Sequence, residues 1–501
     1  MTPSPPSDIA RPLPGARSAF ALLLAINLFN YIDRQVLSAV LPKIKLDPKM
    51  LDPSDPLIQT KLGLLSSAFM VAYMVLAPIF GWLDGHGYRR WVILGIGVTG
   101  WSIASGCSGL AGAYWVFLLT RCLVGVGEGA YGPVASAMLT DIFPQRLRGT
   151  VIAVFNMAIP IGSALGFVLG GWLGAKYGWR SAFLFTFSGL ILGVACFLRR
   201  EFPRPAVVKQ AQASYRDTLR SLLRNRSFVF CCVGMTAVTF VMGGLASWLP
   251  VYVFEREAKF QLSSAAVEKL RSGSDFLRAD GTPVMPAGVT DKLAAAASPD
   301  TQDVHTFRQR VREALGEDDF KQYSEWVLEA ATADKSVTTS DIGLIFGVIL
   351  VLAGLTATPT GTFFAWHLGK RFRGANFLVS GIGAIVGFPL AVAFLFLPFP
   401  FAWVAVFGSL FALFVYTGPM YTMLANVTTP EVRATAFAWN ILMIHALGDA
   451  ISPTILGGIA DASSLHTSFL VSSVLLVIGG VIWLWGARYE AADTDRASNT
   501  A

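Results

Sequence analysis

The sequence predicts an all-α membrane protein: twelve transmembrane helices in two pseudo-symmetric six-helix halves, with an extra helical insertion on the outer side. Three observations predict it. Of 501 residues, 54% are hydrophobic, only 14% are charged, and the mean hydropathy is +0.56, against about 25% charged residues in a soluble domain. Apolar stretches near the ~20 residues needed to cross a bilayer recur twelve times. Features of the first half also return in the second. Arg146 precedes Gly170-Gly171 by the spacing at which Arg433 precedes Gly457-Gly458, and each arginine follows a proline at a helix entrance, Pro144 and Pro430.

The six spans of the first half fall at about 18–42, 60–83, 91–110, 113–142, 149–175 and 180–199. Those of the second fall at about 228–254, 340–367, 374–397, 400–427, 434–460 and 465–487. Pro133, Pro160, Pro359 and Pro453 lie inside spans, where neighbouring helices or a cavity re-satisfy the backbone. The 48 glycines fit helices that approach closely. The domain reading is 1–199 for the first half and 200–227 for a basic linker with an amphipathic helix. The second half is 228–487, interrupted by the insertion at 257–338, and 488–501 is a tail. In the insertion, Val304, Phe307, Val311 and Leu315 share one helical face, and Phe320, Tyr323 and Val327 suggest a second helix.

The net charge of +7 is no sign of nucleic-acid binding. Arg89-Arg90, Arg146 with Arg148, Lys370-Arg371 with Arg373, and the segment from Arg199 to Arg226 alternate with loops poor in basic residues. This pattern puts both termini in the cytoplasm. The first apolar stretch is too long for a signal sequence and reads as a retained helix. Cys107, Cys122, Cys196, Cys231 and Cys232 all fall in spans and read as apolar packing residues, not as a disulfide framework.

The chemistry lies in charges where a membrane helix should have none. Asp33 and Arg34 sit inside the first span, where each charge costs roughly 2.5–3.5 kcal/mol on insertion scales. Intramembrane ionisable groups usually face a bundle interior or a water-filled path. Adjacent residues point about 100° apart on a helix, so one can face a cavity while the other reaches a neighbour. A structural salt bridge is the alternative. In the fourth span Arg121 and Glu128 are seven apart, on one face, amid Gly125, Gly127, Gly129 and Gly132. Glu128 is a candidate proton carrier; Arg121 lies nearer the outer end, where arginine also snorkels. In the eleventh span His445 and Asp449 are one turn apart and form either a proton relay or a structural pair. Tyr31, Tyr131, Asn156, Trp248, Tyr416, Tyr421 and Asn440 are candidate cavity residues. The turn Gly81-Trp-Leu-Asp84-Gly-His86-Gly-Tyr-Arg89-Arg90 is a candidate gating loop, and Arg146 and Arg433 are its counterparts at later helix entrances.

Together these pieces resemble the major facilitator superfamily over nearly the whole chain. The turn is similar to that family's loop between the second and third helices, Gly-x-Leu-Ala-Asp-Arg-x-Gly-Arg-Arg, with the acid one place early at Asp84, Gly85 in its stead and His86 for the arginine. Arg121-x-x-x-Gly125-x-Gly127 is similar to the fourth-helix motif. A narrower resemblance is to the Spinster family of lipid transporters. It rests on Asn30-Tyr31-Ile32-Asp33-Arg34, Arg121 with Glu128, Asp141-Ile-Phe-Pro144 and His445-Ala-Leu-Gly448-Asp449-Ala450-Ile-Ser452-Pro453. The resemblance implies a proton-linked carrier of a lysolipid or sphingoid phosphate; the insertion is not part of the usual family pattern.

The expected mechanism is rocking of two halves about a central cavity, biased when protonation of Asp33 or Glu128 changes the pairing of Arg34. A proton symporter of a small organic anion such as a sugar acid fits the buried arginine equally. From another class, a receptor would use 257–338 as its ligand domain. The chain has no nucleophile–base pair, metal cluster or ATP-binding loop, so an enzyme is not expected. Protons are the only coupling agent expected, with no cofactor. A monomer in a bacterial inner membrane is the expected setting.

Overall fold

The computed structural model describes residues 11–47, 50–51, 55–203, 215–272, 283, 285–333 and 336–499. The first half contains α1 (Ala16–Leu46), α2 (Ile58–Gly85), α3 (Arg90–Leu110) and α4 (Tyr114–Ile142). Its fifth crossing is α5 (Gln145–Asn156) with α6 (Ala158–Tyr177), and its sixth is α7 (Trp179–Thr186) with α8 (Leu190–Phe197) joined by a 3₁₀ turn. A short helix, α9 (Tyr215–Arg224), leads into α10 (Arg226–Glu257). The insertion follows as β1 (Lys259–Phe260), α11 (Ser264–Ser272), α12 (Ala287–Ala295), β2 (Gln302–Asp303), α13 (Val304–Leu315) and α14 (Glu317–Ala330). The second half resumes with α15 (Thr339–Gly369), α16 (Ala375–Phe396), α17 (Phe401–Phe414) continued by α18 (Thr417–Asn426), α19 (Pro430–Ile444) continued by α20 (Ser452–Ala462), and α21 (Leu465–Asn499).

Eleven of the twelve crossings are long and apolar enough to span a membrane by composition alone. The twelfth is α4, which is 29 residues long but carries Arg121, Glu128 and Asp141. Its charges lower its hydropathy, and its length of about 43 Å still crosses a bilayer. The single spans expected at 149–175, 180–199, 400–427 and 434–460 are each broken. Prolines at 160, 419 and 453 sit just past three of these breaks, where each removes a backbone donor from the helix.

With twelve crossings both termini lie on one face, the termini face; the insertion lies on the other. α21 runs on to Asn499, so 488–499 is no tail. Glu490 and Asp493 are buried there: Glu490 accepts from Asn376 Nδ2 (2.5 Å) and Asp493 from the amide of Ser227 (3.0 Å). Polar anchors, which hydropathy counts against a helix, are what extend it. Of the predicted linker, residues 204–214 lie outside the described residues. Leu222 is buried against Phe228, Cys232 and Leu424, while Leu223 is exposed. Both helical faces read in the insertion are present: Val304, Phe307, Val311 and Leu315 are buried on α13, and Phe320, Tyr323 and Val327 on α14.

The halves meet near the insertion face. α6 packs on α15 where Gly171 lies against the carbonyl of Thr339 and Gly343 against that of Phe167, and Phe167 meets Phe346 edge-on at 4.7 Å. α2 packs on α20 where Gly63 faces the carbonyl of Pro453 and Gly457 that of Gln59. Lys45 at the end of α1 pairs with Glu255 at the end of α10. Asp461 of α20 caps α2 across the interface: it accepts from the amides of Gln59 (2.8 Å) and Thr60 (2.7 Å) and from the Thr60 hydroxyl (2.6 Å). A helix start offers unpaired N–H groups and favours an anion, so this carboxylate bolts one half to the other. Replacing Asp461 by alanine should cost about 1–2 kcal/mol and raise the population open on the insertion face roughly 5- to 30-fold. Distances between spin labels on the two halves would show it.

Candidate functional site

Two ion pairs tie α1 to α4. Nε of Arg34 donates to Oε2 of Glu128 at 2.7 Å, and Oδ2 of Asp33 faces Nη2 of Arg121 at 3.7 Å. The helical phases explain the crossed pairing. Arg121 and Glu128 share a face of α4 about 10.5 Å apart, while the 100° offset of Asp33 and Arg34 sends their side chains different ways.

Arg34 and Glu128 border a cavity of ≈ 140 Å³ whose lining includes Asn27, Asn30, Tyr31, Tyr73, Tyr131 and Asn156. The Arg34 guanidinium lies 5.1 Å from each of the ring centres of Tyr31, Phe69 and Tyr73, near enough for cation–π attraction. Oε1 of Glu128 and Nδ2 of its neighbour Asn30 are both buried, and the amide faces the carboxylate. The cavity lies between the mid-depth of the bundle and the termini face, the reverse of the seams at the insertion face. The inter-half seams thus lie toward the insertion side, and the cavity, lined by the first half, toward the other.

Asp33 points away from the cavity. Its side chain is 1% exposed; the Ser105 hydroxyl donates to it and lies 2.7 Å from the Thr186 hydroxyl. Arg121 is buried over the ring of Phe183 at 5.3 Å. The alternative of a snorkelling Arg121 is therefore excluded. Of the two pairs, only Arg34–Glu128 can meet a solute without rearrangement.

Tyr31, Tyr131 and Asn156 line this cavity, with the Tyr131 hydroxyl donating to the carbonyl of Leu23 at 2.5 Å. Trp248, Tyr416, Tyr421 and Asn440 do not line it. Trp248 is fully buried and donates to the carbonyl of Pro453 at 2.9 Å. Tyr416 packs on Trp483 at 5.3 Å, and Tyr421 stacks on Phe437 at 5.9 Å. Asn440 is buried with neither amide atom hydrogen-bonded among the described residues. Each has found a partner or a core position within its own half, as aromatic residues in a bundle commonly do. Sequence reasoning missed Asn27, Asn30, Tyr73, Ser136 and Phe155 as lining. Two asparagines one helical turn apart, four and seven residues before Arg34, were a readable sign; nothing marked Tyr73.

His445 and Asp449 are paired: Nδ1 lies 2.9 and 3.0 Å from the two carboxylate oxygens. They sit in a π turn, His445–Asp449, between α19 and α20, where the amide of Ala450 bonds the carbonyl of His445 at 3.0 Å. Such turns are frequent at functional sites. Both side chains are about a quarter exposed, and Gly243 of α10 admits Asp449 closely. The π turn also lies against α2 of the other half, so the pair stands at the inter-half boundary.

The candidate gating turn forms a charge cluster within the first half. Arg90 clasps both oxygens of Asp84 (2.7 and 3.2 Å) and reaches Asp141 at 2.6 Å, while Glu201 accepts from the amide of Arg90 at 2.8 Å. Asp84, one place early in sequence, still meets its arginine because it closes the last turn of α2. Arg89 is exposed. The pairing of Arg146 with Arg433 needs correction. Nη2 of Arg433 donates to the carbonyl of Thr428 (3.1 Å), and Nε of Arg148 donates to that of Phe143 (3.2 Å). Both reach back five residues, so Arg148 is the equivalent of Arg433. The side chain of Arg146 lies outside the described residues.

The model of the Major Facilitator Superfamily matches residues 23–267. The chain is 30% identical to human protein spinster homolog 1 over 512 residues, covering 95% of this chain and 81% of that protein. It is 28% identical to protein spinster of Drosophila melanogaster over 456 residues, covering 89% of this chain and 62% of that longer protein. In fold it is similar to the inward-facing, unoccupied crystal structure of a bacterial homologue of the human lysosomal transporter Spinster: TM-score 0.69, 19% identity, 96% of this chain and 98% of that one. It is also similar to a D-xylose–proton symporter, at a TM-score of 0.58, 15% identity, and 93% and 97% coverage. With twelve helices, intramembrane charge pairs and this likeness along nearly its whole length, the chain belongs to the Spinster family of major facilitator transporters.

Proposed function

We propose that this transporter is a proton-coupled carrier of an amphipathic anion, a lysolipid or a sphingoid phosphate, working by alternating access. The observation that carries the reading is Arg34: a guanidinium on the cavity wall, backed by tyrosines and held by the buried carboxylate of Glu128. Protonation of Glu128 frees Arg34 for an anionic head group, and release of the head group returns Arg34 to Glu128. Substrate and proton thereby shift the two conformations through differential affinity. The termini face is the cytoplasmic one, the membrane is the inner membrane of a bacterium, and the carrier acts as a monomer.

The polar lining of Asn27, Asn30, Tyr31, Tyr73, Ser136 and Asn156 favours a second reading, symport of a small organic anion such as a sugar acid. Proteoliposomes separate the two. Internal pH is followed while a lysolipid, a sphingoid phosphate or a sugar acid is added to wild type or Glu128→Gln. A lipid-driven proton flux that Glu128→Gln abolishes is the expected result. A flux driven by the sugar acid alone replaces the substrate. Substrate movement with no proton signal in the wild type overturns the coupling.

A further inference from the structure

The insertion places a cation beside the ion pair that closes the insertion face. β1 pairs antiparallel with β2, the amide of Gln261 bonds the carbonyl of Ala331 (2.8 Å), and that of Ala333 bonds Lys259 (3.1 Å). Phe260 bridges Phe254 of α10 (6.3 Å) and Phe307 of α13 (5.3 Å). These ties fix α13 to the end of α10, so the insertion moves with the second half. The start of α13 then overhangs the end of α1, where Pro42, Lys45, Glu255, His305 and Arg308 line one narrow cleft.

Glu255 is the hub of that cleft. It pairs with Lys45 of the first half, and its Oε2 lies 3.7 Å from Nε2 of His305. Arg308 feels its charge, yet Nη2 of Arg308 is buried and has no hydrogen-bond partner among the described residues. Burial pulls Arg308 down to about 10 and Glu255 opposes the fall, so the guanidinium remains charged at neutral pH. An unpaired buried donor on a charged group is costly. Two cations and one carboxylate therefore share a cleft in the closed state, one cation paired and the other left over.

When the insertion face opens, α1 withdraws from α10 and takes Lys45 with it. Glu255 would be left without its ion-pair partner, a cost that opposes opening. We propose that Arg308 takes over Glu255 as Lys45 leaves, so that the insertion supplies the replacement cation and lowers the free energy of the state open on that face. The carboxylate is paired in both states, with a different half of the molecule in each. Unlike a lock, this device favours opening.

The sign makes the proposal testable without any substrate, and independently of what the carrier transports. Spin labels at Gly112→Cys and Ser463→Cys, on insertion-face loops of opposite halves, report the gap in a background with Cys107 and Cys122 replaced by alanine. Asp461→Ala is included so that closed and open populations are both visible. Arg308→Met should lower the open fraction about tenfold, the scale of one lost charge-assisted hydrogen bond, and Arg308→Lys should restore most of it. Arg308→Gln, closer in size, gives the same reading should methionine unsettle the insertion. Combined with Glu255→Gln, the Arg308 substitution should no longer matter. An open fraction that stays constant or rises in folded Arg308→Met or Arg308→Gln overturns the hand-over.

Discussion

Arg34→Ala should abolish transport and destabilise the protein, and adding Glu128→Gln should restore only the stability. The side chain of Glu128 is wholly buried, and Arg34 is its ion-pair partner. Removing one partner of a buried ion pair typically costs 3–5 kcal/mol, mostly because the other charge is stranded. Glutamine carries no charge, so the double variant escapes most of that cost and should melt close to the wild type. Transport behaves differently, because the proposed role of Arg34 is to meet the anion. Truncating one partner of a buried charge pair made on binding costs about 2–5 kcal/mol, a roughly 30- to 5,000-fold loss of uptake. Melting curves and uptake by proteoliposomes should therefore part company in the double variant. Uptake that returns with stability would make the pair purely structural.

Much of this was readable because membranes penalise charge. Twelve apolar stretches and a few intruding ionisable groups locate the helices and the charged residues of α1 and α4, though not which acid meets which arginine. The crossed pairing followed from helical phase once α1 and α4 were neighbours; which residue of Asp33 and Arg34 faces the cavity did not. That choice depends on Ser105 and Thr186, small hydroxyls of a kind scattered through many spans. The cavity residues of the second half were misplaced for a related reason. A tyrosine, a tryptophan or an asparagine in an apolar span looks the same whether it faces water or bonds a carbonyl, as Trp248 bonds Pro453. The breaks at 157, 187–189, 415–416 and 445–451 were obscured because the apolar character runs straight through them. The long reach of α21 was obscured in the opposite sense, its last turns being held by Glu490 and Asp493.

The contact between the halves was the least legible feature, because it is made by glycines whose neighbours are remote in sequence. Adding a Cβ at Gly343 would place it 2.2 Å from the carbonyl oxygen of Phe167, and at Gly63 it would fall 2.2 Å from that of Pro453. Neither contact can be relieved by a side-chain turn, since the obstacle is backbone. The cheapest response is for the halves to part on the insertion face. Gly343→Val and Gly63→Val should each shift the equilibrium away from the closed state by about 1–3 kcal/mol, roughly 5- to 150-fold in population. They lie on separate seams, α6–α15 and α2–α20, so their effects should add. Gly125 supplies a contrast: its Cβ would fall 2.2 Å from the carbonyl of Phe69 within the first half, where no rocking motion relieves it. Gly125→Val should lower the melting temperature without moving the spin-label distance, and Gly100→Val, with nothing within 4 Å, should change neither. If Gly343→Val and Gly63→Val instead behave like Gly125→Val, losing stability with the distance between Gly112→Cys and Ser463→Cys unchanged, the two seams are permanent parts of the core, and the moving boundary between the halves lies elsewhere.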